Sequence, residues 1–303
     1  MNMLADDILL DALKRKVAVG AFNFTNMEII QAIVAGANEL KTPVILQASS
    51  SAIKYMGFDY IHAMISVASE GSDVPIVLHL DHGKDFEICK KAIDNGFNSV
   101  MIDASSRDFN SNIEITKKVV EYAQRFNVSV EAELGTLAGV EDEISVAREK
   151  AFYTDPNQAQ EFIERTGISS LAVAIGTSHG VNKGKTGSPK LSIDTLKKIK
   201  EKVGNFPLVL HGASSVYVDV VDECNKYGSN IQNAYGITDK DIKEAIQNGI
   251  AKVNVDTDIR IAFLGAIRKC MSENPDNIDM RKYLGAGRES AKEMVMRRIR
   301  TFI

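Results

Sequence analysis

Eight short apolar, β-branched runs alternate with amphipathic runs along this chain, and few folds accept that pattern. The runs fall at residues 17–22, 44–47, 75–80, 99–102, 128–132, 170–175, 207–210 and 251–255. Nearly every position in them is apolar, so each expects burial on both faces. Between them the apolar residues follow helical spacing. Met27, Ile30, Ile33 and Val34 share one face within 27–40, and Phe86, Ile88, Ala92 and Ile93 share another. A further helix carries Ile61, Met64, Ile65 and Val67, and others are expected at 113–126, 158–165, 193–203, 239–248 and 258–270. Buried strands separated by helices predict an α/β fold with a parallel sheet covered on its outside. Eight units in about 270 residues fit a closed (β/α)8 TIM barrel. An open doubly wound sheet is the alternative, but no GxGxxG follows the first run. We expect one barrel domain over residues 1–303, with 279–303 as a C-terminal helical extension. Its helix, from about Ser290, would carry Met294, Met296 and Ile299. Residues 135–143, 181–190 and the Asn-, Gly- and Ser-rich 226–236 are expected as loops, the second mobile and the last flexible.

In such a barrel the active site lies at the carboxyl ends of the strands. Every expected strand delivers a polar group there: Asn23; Gln47 with Ser49 and Ser50; Asp81 and His82; Asp103; Glu133; His179; His211 and Ser214; Asn254, Asp256 and Thr257. The chain has five histidines, and three of them follow apolar runs and precede glycine: His82-Gly83, His179-Gly180 and His211-Gly212. One His-Gly pair is an ordinary turn, but three around one rim make a metal site with a position left for substrate. Imidazole donors select zinc, iron, copper or nickel over magnesium, and three of them fit zinc. Asp103 and Glu133 then either fix the imidazoles from behind or hold a second divalent or monovalent cation. His79 expects a structural role inside the barrel, and His62 lies on a surface helix pattern. Gly212, Ala213, Ser214 and Ser215, with Asn254, Val255, Asp256 and Thr257, close the last two strands, where barrels bind phosphate through backbone N–H groups. Arg260 lies near enough for a second anion.

Composition narrows the partners. Net charge is −4, no basic run occurs and tryptophan is absent, which argues against nucleic acid. No stretch approaches the ~20 apolar residues of a membrane helix. The acidic start, Asp6-Asp7, lacks the order of a signal peptide. Cys89, Cys224 and Cys270 are odd in number and show no CxxC spacing, as expected of reduced cytoplasmic thiols.

The stretches GAFNF, LHLDHG, SVMIDAS, VEAELG, AIGTSHG, LVLHGASS and KVNVDTDIRIAF resemble the class II, zinc-dependent fructose-bisphosphate aldolases. The resemblance runs from about Leu9 to Leu284 with the motifs in matching order. It implies a (β/α)8 barrel, a glycolytic or gluconeogenic enzyme and a homodimer or homotetramer. The implied reaction is reversible cleavage of fructose 1,6-bisphosphate to dihydroxyacetone phosphate and glyceraldehyde 3-phosphate. Residue by residue, His82, His179 and His211 match the zinc ligands and Asp81 the general acid/base. Asp103 and Glu133 match a second metal position, and Glu141 a loop glutamate that moves a proton at the nascent carbanion. Gly180, Gly212–Ser214 and Asn254–Thr257 match contacts to dihydroxyacetone phosphate, and Ser50 and Arg260 contacts to the other phosphate. Asn23 joins the substrate contacts. Lys183 resembles a lysine that closes over substrate, and Arg281 an arginine that reaches a neighbouring subunit's site. Lys84, Met280 and Ser215 depart from the expected hydroxyl, proline and glycine, which leaves the intersubunit arginine and the phosphate cradle the least constrained parts.

The rival activities are a tagatose-bisphosphate aldolase, which differs at one stereocentre, and a zinc hydrolase on the same barrel. A Schiff-base aldolase would need a lysine in an apolar barrel position. Lys252 is the lone lysine in the eight expected strands, and it lies roughly 6–7 Å below the rim, a position suited to a structural role.

Overall fold

The computed structural model describes residues 4–135, 138–141, 144–146, 153–179 and 190–303, with 138–141, 144–146 and 178–179 described by backbone only. Its strands are β1 (Val19–Asn23), β2 (Val44–Ser49), β3 (Ile76–Gly83), β4 (Ser99–Ile102), β5 (Ser129–Leu134), β6 (Ala138–Glu141), β7 (Ile144–Val146), β8 (Ser170–Val173), β9 (Ser178–His179), β10 (Leu208–Leu210) and β11 (Ile250–Val255). Eight of them close a parallel barrel in the order β1-β11-β10-β8-β5-β4-β3-β2, as the alternation predicts. Helices follow the strands: α2 (Met27–Leu40), α3 (Ser50–Met56) and α4 (Phe58–Glu70), α5 (Phe86–Asp94), α6 (Phe109–Gln124), α7 (Pro156–Thr166), α8 (Ile193–Val203), α10 (Asp239–Gln247) and α11 (Thr257–Glu273). Six of these nine starts carry a side chain that accepts a backbone N–H, such as Asn26 from Ile29 (3.0 Å) and Asp85 from Ile88 (2.9 Å), whereas α4, α8 and α11 start without one. The outward strand residues, among them Phe22, Leu46, Leu80, Ile102 and Val255, form one core with the helices.

α3 has no counterpart in the sequence reading, and four further departures from it stand out. The first is α1 (Ala5–Arg15), whose Ala5, Ile8, Leu9 and Ala12 pack on Val19, Ile45, Val77 and Ala251 at the starts of the strands. It stops the amino-terminal mouth of the barrel. The second is β6, which pairs antiparallel with β7 and parallel with β9 where a loop was expected. The third is α9 (Val218–Lys226), after which the expected flexible stretch is tied down. Asn225 accepts from Ile231 N (2.8 Å) and donates to its carbonyl (2.9 Å), and Ile237 N donates to Ser214 O (3.2 Å).

The fourth is α12 (Met280–Phe302), which starts earlier than Ser290 and packs on α2 and α11. It delivers Arg298, fully buried, beneath the loop after β10. The guanidinium donates to Ser215 Oγ, to Tyr217 OH and Asp239 Oδ1 (both 2.9 Å) and to Ala213 O (3.2 Å), and lies 3.5 Å from buried Asp258. Asp258 in turn accepts from Ser215 N (2.9 Å) and Val216 N (2.7 Å). Val216 sits at φ +48, a conformation a β-branched residue rarely adopts, so the clamp holds a strained turn. Arg298→Met would leave Asp258 buried with its two backbone N–H donors but without its cation. We expect a loss of about 3–5 kcal/mol and a fall in Tm of roughly 5–10 °C, read from thermal melts. An unchanged Tm would contradict the clamp.

Candidate active site

The site begins with an irregularity in β3. Against β4, His79 pairs with Ser99 and Leu80 with Val100, but Gly83 pairs with Ile102, so β3 carries one extra residue. This is a β-bulge, and His82 within it has φ +48. Regular alternation would send Asp81 and His82 to opposite faces. The bulge brings both to the barrel mouth. Gly83 permits it, because a Cβ there would lie 2.5 Å from the Met101 carbonyl oxygen.

Two of the three histidines singled out by their spacing meet there. His82 Nε2 and His211 Nδ1 are 3.0 Å apart, with the rings edge to face at 82°. The remaining nitrogen of each ring is held by a carboxylate. His82 Nδ1 bonds Asp103 Oδ2 (2.8 Å), and His211 Nε2 bonds Glu131 Oε1 (2.9 Å). Carboxylates accept only, so these bonds assign N–H to His82 Nδ1 and His211 Nε2. In the neutral rings the nitrogens that face each other are then both acceptors. Such a pair at 3.0 Å is satisfied by one shared cation, either a proton that makes one ring an imidazolium donor or a metal ion. Two nitrogens bound tetrahedrally to one zinc at 2.0–2.1 Å lie about 3.3 Å apart, so this donor set fits the ion. Burial lowers the pKa of His211, which favours the neutral ligand form. Burial would raise Asp103, but the bonds from His82 and Ser105 outweigh it and hold its carboxyl well below the usual range. Glu131 is likewise held low, against its burial, by the Lys252 ammonium and the bond from His211.

Candidate ligand atoms of Asp81, His82 and His211 cluster, as do those of His82, Asp103 and Glu133. His179 closes β9, whose backbone pairs with Gly139 of β6. Glu141 ends the same β6, which extends the chain leaving β5, next to β8 in the barrel. The side chains of His179 and Glu141, and all of Gly180 and Lys183, lie outside the described residues.

Asp81 is 1% exposed and sits in a ring of amides. Asn23 Nδ2 donates to its Oδ2 (2.8 Å), Gln47 Nε2 to the same oxygen (3.3 Å), and Asn254 Nδ2 to Oδ1 (3.3 Å). Gln47 also donates to Asn23 Oδ1 (2.6 Å). His82 Nε2 is 4.0 Å from Asp81 Oδ1. Among the described residues, Gln47 Oε1, Ser50 Oγ and Asn254 Oδ1 are buried with no hydrogen-bond partner. Orphaned polar atoms around one mouth are what a polar ligand would satisfy.

The two glycine- and hydroxyl-bearing segments also come together. Asp258 ties the Gly212–Val216 turn to the start of α11, so Gly212, Ala213 and Ser214 lie beside Asn254, Val255, Asp256 and Thr257 at a helix N-terminus. Arg260 is held to Asp256 (2.7 Å) and is half exposed. Arg281 lies on the first turn of α12, 91% exposed and paired with Asp279. His62 is on exposed α4 and His79 is inside the barrel, as expected. Sequence reasoning missed Glu131. Its signal was present, since Glu131 and Glu133 are two apart on one strand and so share a face.

A family model described as Fructose-bisphosphate aldolase class-II matches residues 4–303. A fructose-bisphosphate aldolase of Giardia intestinalis is 49% identical over 96% of this chain and 90% of its own. One from Thermus caldophilus is 48% identical over 98% and 96%. The crystal structure of the YdjI aldolase from Escherichia coli K12 superposes with a TM-score of 0.80 at 34% identity, over 100% of this chain and 97% of that one. The chain belongs to the class II fructose-bisphosphate aldolase family. Its reaction class is accordingly that of an aldehyde-lyase, carried on a TIM barrel. No described helix is long and apolar enough to cross a membrane.

Proposed function

We propose that this site cleaves fructose 1,6-bisphosphate reversibly, with zinc held by His82, His179 and His211 and with Asp81 as the base. The observation that carries the reading is the pair of imidazole nitrogens facing each other at 3.0 Å beside a buried carboxylate. Zinc bound there would supply a Lewis acid for the charge left on the ketone fragment when C3–C4 breaks. Asp81 takes the proton from the C4 hydroxyl, which releases glyceraldehyde 3-phosphate. Asn23, Gln47 and Asn254 hold the Asp81 carboxylate in place for that transfer. Glu141 then returns a proton to the three-carbon fragment, giving dihydroxyacetone phosphate. Asp103 orients His82 and, with Glu133, lines the position of a second cation. Gly180, Gly212–Ser214 and Asn254–Thr257 bind one phosphate, and Ser50 and Arg260 the other, which fixes the scissile bond against metal and base. Lys183 closes over the substrate, and Arg281, exposed on α12, reaches a neighbouring copy in a homodimer or homotetramer. The chain works in the cytoplasm as one barrel domain, with residues 279–303 as its extension.

The test is a coupled cleavage assay on fructose and tagatose bisphosphates, with and without chelator, alongside a metal count. Fructose bisphosphate should be cleaved by protein holding one zinc per chain, and thorough chelation should abolish turnover until zinc returns. Activity that survives metal removal would reject zinc, and preference for the tagatose isomer would reassign the substrate.

A further inference from the structure

Beneath the mouth lies a buried polar chain that the reaction above does not use. Lys252 and His79 are both 1% exposed, Glu131 2% and Ser99 3%, all within the barrel interior. Lys252 Nζ donates to Glu131 Oε2 (2.7 Å), and the other oxygen of Glu131 accepts from His211 Nε2 (2.9 Å). On its other side Lys252 Nζ lies 3.3 Å from His79 Nε2, and His79 Nδ1 lies 2.7 Å from Ser99 Oγ. The register explains the convergence. Lys252 is two residues before Asn254 on β11, and Glu131 is two before Glu133 on β5, so both point inward one layer below the mouth. A lysine and a glutamate this deep are costly to desolvate. A well-packed apolar layer would serve stability as well, so the pair calls for a role beyond packing.

We propose that Lys252 is a positioning residue for the metal site: it fixes the Glu131 carboxylate, which fixes His211 with Nδ1 turned to the metal. This rests on the zinc reading above. His211 leaves a strand whose last assigned residue is Leu210, and a hydrogen bond to its second nitrogen is what selects ring orientation and tautomer. Glu131 can perform that selection only if its own carboxylate is held, and Lys252 occupies the oxygen that His211 leaves open. The same geometry keeps Lys252 out of Schiff-base chemistry, because its amine is directed at Glu131 and His79 on the barrel floor.

The experiment compares wild type with Lys252→Met, Lys252→Arg and the double variant Glu131→Gln/Lys252→Met. Zinc dissociation constants come from chelator competition, and the histidine tautomer from ¹⁵N NMR of the zinc-free protein. Lys252→Met should weaken zinc about 10–100-fold and lose the Nε2–H signature of His211. Once saturated with zinc, it should keep KM within about twofold, because Lys252 is a layer below the substrate, while kcat falls. Lys252→Arg, which keeps a donor for Glu131, should recover part of the affinity. The double variant has no unpaired buried charge, so its melting temperature should return towards wild type while zinc affinity stays about tenfold down. That outcome separates positioning from packing and also serves where the single variant folds poorly. Wild-type zinc affinity in Lys252→Met, or in the double variant, would overturn the proposal. Failure of the wild-type protein to hold zinc would instead reject the metal reading itself.

Discussion

Replacing Asp81 with alanine should lower kcat by about 10²–10⁴-fold, the range for losing a positioned proton acceptor. The size of the effect follows from the isolation of the carboxylate. Asp81 is almost fully buried, and its oxygens accept from three amides, Asn23, Gln47 and Asn254, none of which can take up a proton. Truncation therefore leaves amides and no base. Metal binding should persist, because His82 and His211 are oriented by Asp103 and Glu131 and not by Asp81. Steady-state kinetics with a zinc count on the same preparation check both halves. Turnover near that of wild type would remove Asp81 from the chemistry, and loss of zinc would show it to be a ligand in its own right.

His82→Ala should have a comparable or larger effect by a different route. His82 is the one residue shared by both clusters of candidate ligands, Asp81–His82–His211 and His82–Asp103–Glu133. Its removal takes a nitrogen from the zinc site and an imidazole from Asp103 at once. Lewis-acid stabilisation amounts to several kcal/mol, so kcat/KM should fall on the order of 10³-fold or more. Zinc content should fall with it. Circular dichroism would show that the barrel remains, since the outer core that carries the fold does not include His82. Retention of stoichiometric zinc at wild-type affinity would place the ion elsewhere. The contrast between the variants is the informative part: Asp81→Ala keeps metal and loses turnover, whereas His82→Ala loses both.

The barrel was legible because its evidence is local. Runs such as Val100–Ile102 and Leu208–Leu210 are apolar on both faces, and α2, β4 and α8 fall on their expected residues. What escaped were elements that do not repeat the unit. The buried stripe of α1, at Ala5, Ile8, Leu9 and Ala12, has helical spacing but no strand before it, so the alternation does not call for it. The β6–β7 hairpin pairs with itself and with two residues of β9, and no apolar run announces such pairing. At the site, the strand ends gave Asp81, His82 and His211. The bulge that lets neighbours Asp81 and His82 share the mouth is a register shift against β4, visible only once β4 is in place. Glu131 was hidden for a simpler reason. It stands one inward position below Glu133, and the polar residue at the strand's end marks the rim without marking the layer beneath it.

The seam between β1 and β11 has a consequence for how the molecule comes into being. β1 gains its second neighbour only when Ile250–Val255 arrives, and its outer face waits longer still for α12, whose Phe302 carbonyl accepts from Ala18 N. At 5–20 residues per second, roughly 230 residues of synthesis separate the two strands by on the order of ten to fifty seconds. Throughout that interval the nascent chain carries an open, apolar sheet edge at the ribosome, the kind of surface that pairs with other chains. A closed barrel with no free edge is thus reached through a stage that has one, and that stage is where chaperones would be needed most.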